Sequence, residues 1–120
     1  MRIETILRAY LECALWSSHD YGDGEEPKNL DDMYSVTDFD PAFVVASKAD
    51  IAAFLADNEA DLSESDLSET QVGHDFWLSR NGHGAGFFDH GVRPCYLRLQ
   101  DAAQVYGEVN LYSHEGIVRA

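Results

Sequence analysis

Seventeen of the chain's twenty-two Asp and Glu residues precede residue 73, where only Arg2, Arg8, Lys28 and Lys48 stand against them. The rest of the chain carries five acids against Arg80, Arg93, Arg98 and Arg119. Nearly the whole formal net charge of −14 therefore belongs to the first part, and residues 20–69 alone hold fifteen acids and two lysines. A folded domain with that charge bears self-repulsion, and it gains solubility and long-range attraction for basic surfaces. Direct binding of nucleic acid is disfavoured as a function class, because it needs Lys and Arg to displace counterions. At 120 residues and 45% hydrophobic content, one domain spanning 1–120 with one modest core is expected.

Cys13 and Cys95 lack the spacing of a redox or metal motif, so two reduced, buried thiols are expected rather than a disulfide. The start, Met1-Arg2-Ile3-Glu4-Thr5, has no continuous apolar leader, and no apolar run approaches the length of a membrane span. A soluble protein of the cytoplasm is the expectation.

Ile3, Ile6, Leu7, Tyr10, Leu11, Ala14 and Leu15 recur at helical spacing, with Glu4, Arg8 and Glu12 opposite, so residues 3–17 predict an amphipathic helix. Breakers and acids make 18–35 a loop. Asp40-Pro41 is a helix start, with Asp as cap and Pro at the first position, and apolar residues continue it to about residue 62. Ser47 followed by Asp50 offers a second start within it. The stretch 63–71 reads as loop or a short helical turn.

From His74 the character changes. An aromatic run ends at Asn81-Gly82, a strong hairpin-turn signal, so residues 74–80 and 84–89 are expected to pair antiparallel. That register sets Leu78 against Ala85, Trp77 against Gly86 and Phe76 against Phe87. A short helix over 97–106 closed by Gly107 follows, then a hairpin of 108–113 with 116–119 around His114-Glu115. The expected fold class is α+β: two N-terminal helices, an antiparallel hairpin, a short helix and a C-terminal hairpin, with the helices packed on one sheet face.

The acidic stretch has three readings: a solvated face, a DNA mimic whose carboxylates imitate phosphates, or a divalent-metal site. Asp20-Tyr21-Gly22-Asp23-Gly24-Glu25 only hints at a calcium loop. The block from His74 to Gly91 is the most distinctive. His83-Gly84-Ala85-Gly86 has no nucleophile elbow to accompany it, and Gly82, Gly84 and Gly86 do not form a dinucleotide fingerprint. His74, His83, His90 and His114 lack close ligand spacing. A His–Asp pair could be drawn from His74, Asp75, Asp89 and His90, and the hairpin register sets His74 opposite Asp89. No catalytic residue, metal or cofactor is expected.

Residues 76–89, Phe-Trp-Leu-Ser-Arg-Asn-Gly-His-Gly-Ala-Gly-Phe-Phe-Asp, resemble the recurrent block of small acidic proteins encoded by phages, plasmids and related mobile elements. The resemblance extends to Ala14-Leu15-Trp16-Ser17-Ser18 and to Asp101-Ala102-Ala103-Gln104-Val105-Tyr106-Gly107. His90 departs from it, since many members place Arg there. By analogy, the resemblance implies an inhibitor of a host defence system, with an anti-CRISPR protein as its most specific form. Joined to the charge, it implies a basic, nucleic-acid-binding host protein as partner and DNA mimicry as the mode. The rival classes are a small enzyme built on the histidine-rich block and a phage accessory protein with no inhibitory role. The residues expected to meet a partner are Asp23, Glu25, Glu26, Asp57, Glu59, Asp61, Glu64 and Asp66, and in the second half Trp77, Arg80, His83 and Phe88.

Overall fold

The computed structural model describes residues 1–20, 28–82 and 84–120. Its first helix, α1 (Ile3–Ser17), buries the stripe that its periodicity marks, from Ile6 to Leu15. Two short strands, β1 (His19–Asp20) and β2 (Lys28–Asn29), pair antiparallel, and 3-10 turns follow at Leu30–Asp32 and Val36–Asp38. Helix α2 (Pro41–Asp57) starts where expected. The Asp40 carboxylate accepts from the Ala42 amide at 3.2 Å, and Pro41 needs no donor at the first position. It runs unbroken past Ser47, so the second start within it is not used.

Helix α2 ends sooner than its apolar pattern suggests. Asn58 turns its side-chain amide back onto the Phe54 carbonyl at 2.9 Å, and a separate helix, α3 (Glu59–Ser65), begins after it. Asp66, in the left-handed region at φ 59°, stops α3. Ser68 then caps α4 (Glu69–Arg80) by accepting from the Gln71 amide at 3.1 Å.

Helix α4 overturns the expected hairpin of 74–80 with 84–89. Residues 74–80 are helical, and Asn81-Gly82 is a helix stop, not a strand turn. The Asn81 amide donates to the Trp77 carbonyl at 2.8 Å, its oxygen accepts from the Val109 amide at 2.7 Å, and Gly82 takes the left-handed φ of 63° that ends a helix. The physical reason is burial. Val72, Gly73, Asp75, Phe76, Trp77, Ser79 and Arg80 are all buried, so α4 shows no polar face and its aromatic residues imitate strand propensity. The second half of the supposed hairpin folds back on α4 as a loop with a 3-10 turn, Phe87–His90. The Ser79 hydroxyl accepts from the Phe87 amide at 3.1 Å and donates to Gln100 at 2.6 Å. A Cβ at Gly86 would lie 2.1 Å from Ser79 Oγ, so this loop needs glycine there.

Helix α5 (Pro94–Gln104) starts three residues before the expected 97 and ends two before the expected 106, with Gly107 beyond it at φ 80°. The C-terminal hairpin is present. Strands β3 (Tyr112–His114) and β4 (Ile117–Arg119) pair as Tyr112 with Arg119, Ser113 with Val118 and His114 with Ile117. Its turn is Glu115-Gly116, one residue later than expected, with φ 54° and 77° as a primed turn needs.

The described residues thus form five α-helices and two small two-stranded antiparallel ladders, an α+β chain that is mostly helical. The expected layer of helices on one sheet face is replaced by helix packed on helix. α1 and α4 form the main interface and run in the same direction: Arg2 meets Glu69, Cys13 meets His74 and Ser17 meets Trp77. Gly73 makes this close approach possible, since a Cβ there would stand 2.5 Å from the Ile6 carbonyl oxygen and 2.8 Å from Ala9 Cβ. An aromatic cluster fills the centre. Phe54 stacks on Phe76 at 4.5 Å and on Phe87 at 5.6 Å, while Tyr10 meets Trp77 edge-on at 5.3 Å. The hairpin docks at the periphery, where Val118 bridges Phe39 and accepts from the Asp40 amide at 2.9 Å. No helix among the described residues is long and apolar enough to cross a membrane.

Candidate functional site

Asp57, Glu59, Glu64 and Asp66 are exposed along the end of α2, α3 and the turn that stops it. Asp61 is different. Arg98, on α5, forks it from Nε at 3.0 Å and from Nη2 at 2.7 Å. Those hydrogen bonds hold its carboxyl below the usual carboxylate range. α5 also completes the end of α3. Arg93 donates to the Glu64 carbonyl at 2.7 Å and the Tyr96 hydroxyl to the Ser65 carbonyl at 3.3 Å, supplying donors to carbonyls that a helix C-terminus leaves bare. Asp61 is therefore a helix–helix tie, while Asp57, Glu59 and Asp66 have no ion pair among the described residues.

The same sorting extends across the molecule. Arg2 pairs with Glu69, Arg8 with Glu12, Lys48 with Glu4, Arg80 with Asp50, Arg98 with Asp61 and Arg119 with Asp40. Arg93 instead spreads over the Tyr96 ring at 5.4 Å. Most basic side chains are thus paired with the protein's own acids, largely at the surface, and among the described residues exposed carboxylates remain in excess.

Two residues expected at a partner surface lie in the core. Trp77 has no exposure and donates from Nε1 to the Ser17 hydroxyl at 2.8 Å. Arg80 is 7% exposed and donates to the Gly107 and Tyr106 carbonyls, each at 2.9 Å. Both belong to the buried helix that replaced the hairpin, which is why neither meets solvent. Phe88, by contrast, is exposed. Asp23, Glu25, Glu26 and His83 lie outside the described residues.

The histidine-rich block does yield a His–Asp pair, but not the cross-strand one of His74 with Asp89. Asp89 accepts from the Gly86 amide at 3.2 Å and shapes the loop. His90 meets Asp75 instead, Nε2 to Oδ2 at 2.6 Å, and Gln71 donates to the other carboxylate oxygen at 3.2 Å. Burial pushes the Asp75 carboxyl above its ordinary value, and the His90 hydrogen bond opposes that shift. The neighbouring Cys13 sulfur faces the His74 carbonyl at 3.7 Å, and burial, helped by the Asp75 charge, pushes its thiol up to about 12. That is an inert thiol, not a nucleophile. The pair ties the loop to α4. Among the described residues no cluster of three or more His, Cys, Asp or Glu side chains is placed to hold a metal ion.

Sequence reasoning missed a groove of about 300 Å³ between α1 and the segment that follows β2, lined by Arg8, Glu12, Leu15, Trp16, Asp31, Tyr34, Ser35 and Val36. Trp16, 45% exposed, was the available signal: a large aromatic at the end of an otherwise regular amphipathic stripe. Comparison with models of known families, with curated proteins and with solved structures gives no match.

Proposed function

We propose that the protein acts by binding a basic, nucleic-acid-binding partner through its exposed carboxylates, in competition with that partner's nucleic acid. The observation that carries this reading is the sorting of charge. With Arg2, Arg8, Lys48, Arg80, Arg98 and Arg119 engaged by its own acids, the molecule offers solvent a surface dominated by unpaired carboxylates. Asp57 at the end of α2, Glu59 on α3 and Asp66 in the turn that stops it have no ion pair among the described residues, and together with Glu64, 3.8 Å from Arg98, they are the strongest segment of that surface. Such a field accelerates encounter with a basic surface and weakens steeply with salt. A phage or mobile-element inhibitor of a host defence complex, of anti-CRISPR type, is the biological role that suits these properties.

The test starts with capture from a host lysate at low and high salt, followed by measurement of the captured protein's nucleic-acid binding with and without this chain. Reversal of Asp57, Glu59, Glu64 and Asp66 together to lysine is expected to slow association at least tenfold while the fold survives. Asp61 is left intact because it holds α5. A partner that binds the reversed protein as tightly as wild type across a salt series would overturn the reading.

A further inference from the structure

The groove beside Trp16 has chemistry of its own. Leu15 and Val36 make part of its lining apolar, and two aromatic side chains, Trp16 and Tyr34, line it together with Glu12 and Asp31. Trp16 lies 45% exposed, with its outer surface free of the core that buries the rest of its stripe. Its ring and that of His74 stand at an interplanar angle of 84° with centroids 6.3 Å apart, a contact that orients the indole. Arg8 also lines the groove, but its Nε is held by Glu12 at 2.9 Å. Asp31 has no ion pair among the described residues, so the groove retains one carboxylate without a cation.

Aromatic faces beside a carboxylate form a receptor for a cationic side chain. The ring quadrupole attracts the charge, and the anion fixes it by a hydrogen bond. A guanidinium suits this groove better than an ammonium, because it is planar, stacks on indole and is more weakly hydrated. We infer that the Trp16–Tyr34 groove receives an arginine side chain of the partner, its guanidinium stacked on Trp16 and hydrogen-bonded to Asp31. This rests on the proposed binding of a basic partner and adds the anchoring residue that the charged surface alone does not provide.

The chain contains two tryptophans, and Trp77 is fully buried, so emission that responds to a small ligand reports Trp16. The probes are the amidated peptides tetra-arginine, tetra-lysine and tetra-citrulline, the last neutral and nearly isosteric with arginine. Fluorescence and calorimetry are read on the same samples. Tetra-arginine is expected to shift Trp16 emission and to bind more tightly than tetra-lysine, with tetra-citrulline weakest. Trp16→Ala is expected to weaken tetra-arginine about 2- to 30-fold, the range of a cation–aromatic contact. Asp31→Asn is expected to weaken it without loss of Trp16 emission, and both variants should keep the wild-type circular dichroism.

Equal affinity for the arginine and citrulline peptides would overturn the inference, as would the absence of any binding to wild type. Tetra-arginine that binds both variants as wild type, yet loses affinity when Asp57, Glu59, Glu64 and Asp66 are reversed, would also overturn it. That last outcome would leave the proposed basic partner standing. Loss of partner competition with the peptide result intact would do the opposite.

Discussion

Arg80 Nη1 donates to the Tyr10 hydroxyl at 3.0 Å, a polar contact inside the aromatic core that joins α4 to α1. The same nitrogen lies 3.0 Å from Asp50 on α2, and the other two reach the carbonyls that follow α5. One side chain therefore closes the bundle on several sides at once.

Replacement of Arg80 by Ala is expected to cost about 2–4 kcal/mol, because it removes the donor to two carbonyls and to the Tyr10 hydroxyl and leaves a void beside the aromatic core, whereas the partly exposed Asp50 carboxylate turns to water. Arg80→Lys should recover only part of this, since an ammonium cannot present donors in the same planar fork. Urea denaturation read by Trp77 fluorescence measures both. A loss under 1 kcal/mol for the alanine variant would contradict the role given to Arg80.

Gly73→Ala raises helix propensity by roughly 1 kcal/mol in an isolated helix. In this fold it is expected to destabilise by about 1–3 kcal/mol, since the new methyl would press on the Ile6 carbonyl and on Ala9. The sign of the change decides the matter, and thermal melting reads it. A rise in Tm would show that α1 and α4 lie further apart.

Cys13 and Cys95 are both fully buried, and the Cys13 thiol is pushed up to about 12. Neither should react with iodoacetamide at pH 8 except through opening of the fold. Mass spectrometry is expected to show two alkylations within minutes in denaturant, and none over the same period in native buffer. Rapid single labelling of the native protein would place one of these thiols at the surface.

Asp75 titrates above its ordinary value of 3.8 because burial disfavours its charge, while the hydrogen bond from His90 lowers the shift. His90→Ala should therefore move the Asp75 midpoint further up, as followed by carbon-detected NMR of its carboxyl. It should also cost about 1–3 kcal/mol near neutrality by leaving a buried carboxylate oxygen without its donor. A folded-state value above the unfolded one adds stability that is complete below 3.8 and fades as pH rises through the folded value. Asp75→Asn should lack that component, so the stability difference between wild type and variant should change across this window.

The parts of the fold that were legible share one property: one side of each element faces water. α1 displays its stripe, Asp40-Pro41 announces α2, and a short hairpin closes the chain, though its turn lies at Glu115-Gly116, one residue past the expected His114-Glu115. α4 was illegible because its surroundings are protein on nearly every side, so period and polarity carry no signal. Reading 63–71 as loop or a short turn passes over a signal of its start: Ser68 followed by Gln71 is a capping signature, and Ser68 does cap α4. The acidic segment was legible as composition. Composition says nothing about which carboxylate finds a cation, and the pairing of Asp61 with Arg98 depends on how α3 and α5 meet. Trp77 and Arg80 were misplaced at a surface for the same reason as the helix that carries them.

The parallel seam between α1 and α4 also dictates an order of events during synthesis. Cys13 and the carbonyl it faces are 61 residues apart in sequence. When α1 leaves the ribosome, the helix against which it will bury its stripe has not been made. An isolated helix of this length is marginal in water, and closing so long a loop has an entropic cost that only the finished seam offsets. Until α4 emerges, α1 has only α2 and the 3-10 turns that follow β2 to pack on, so its main seam is the last of its contacts that synthesis allows.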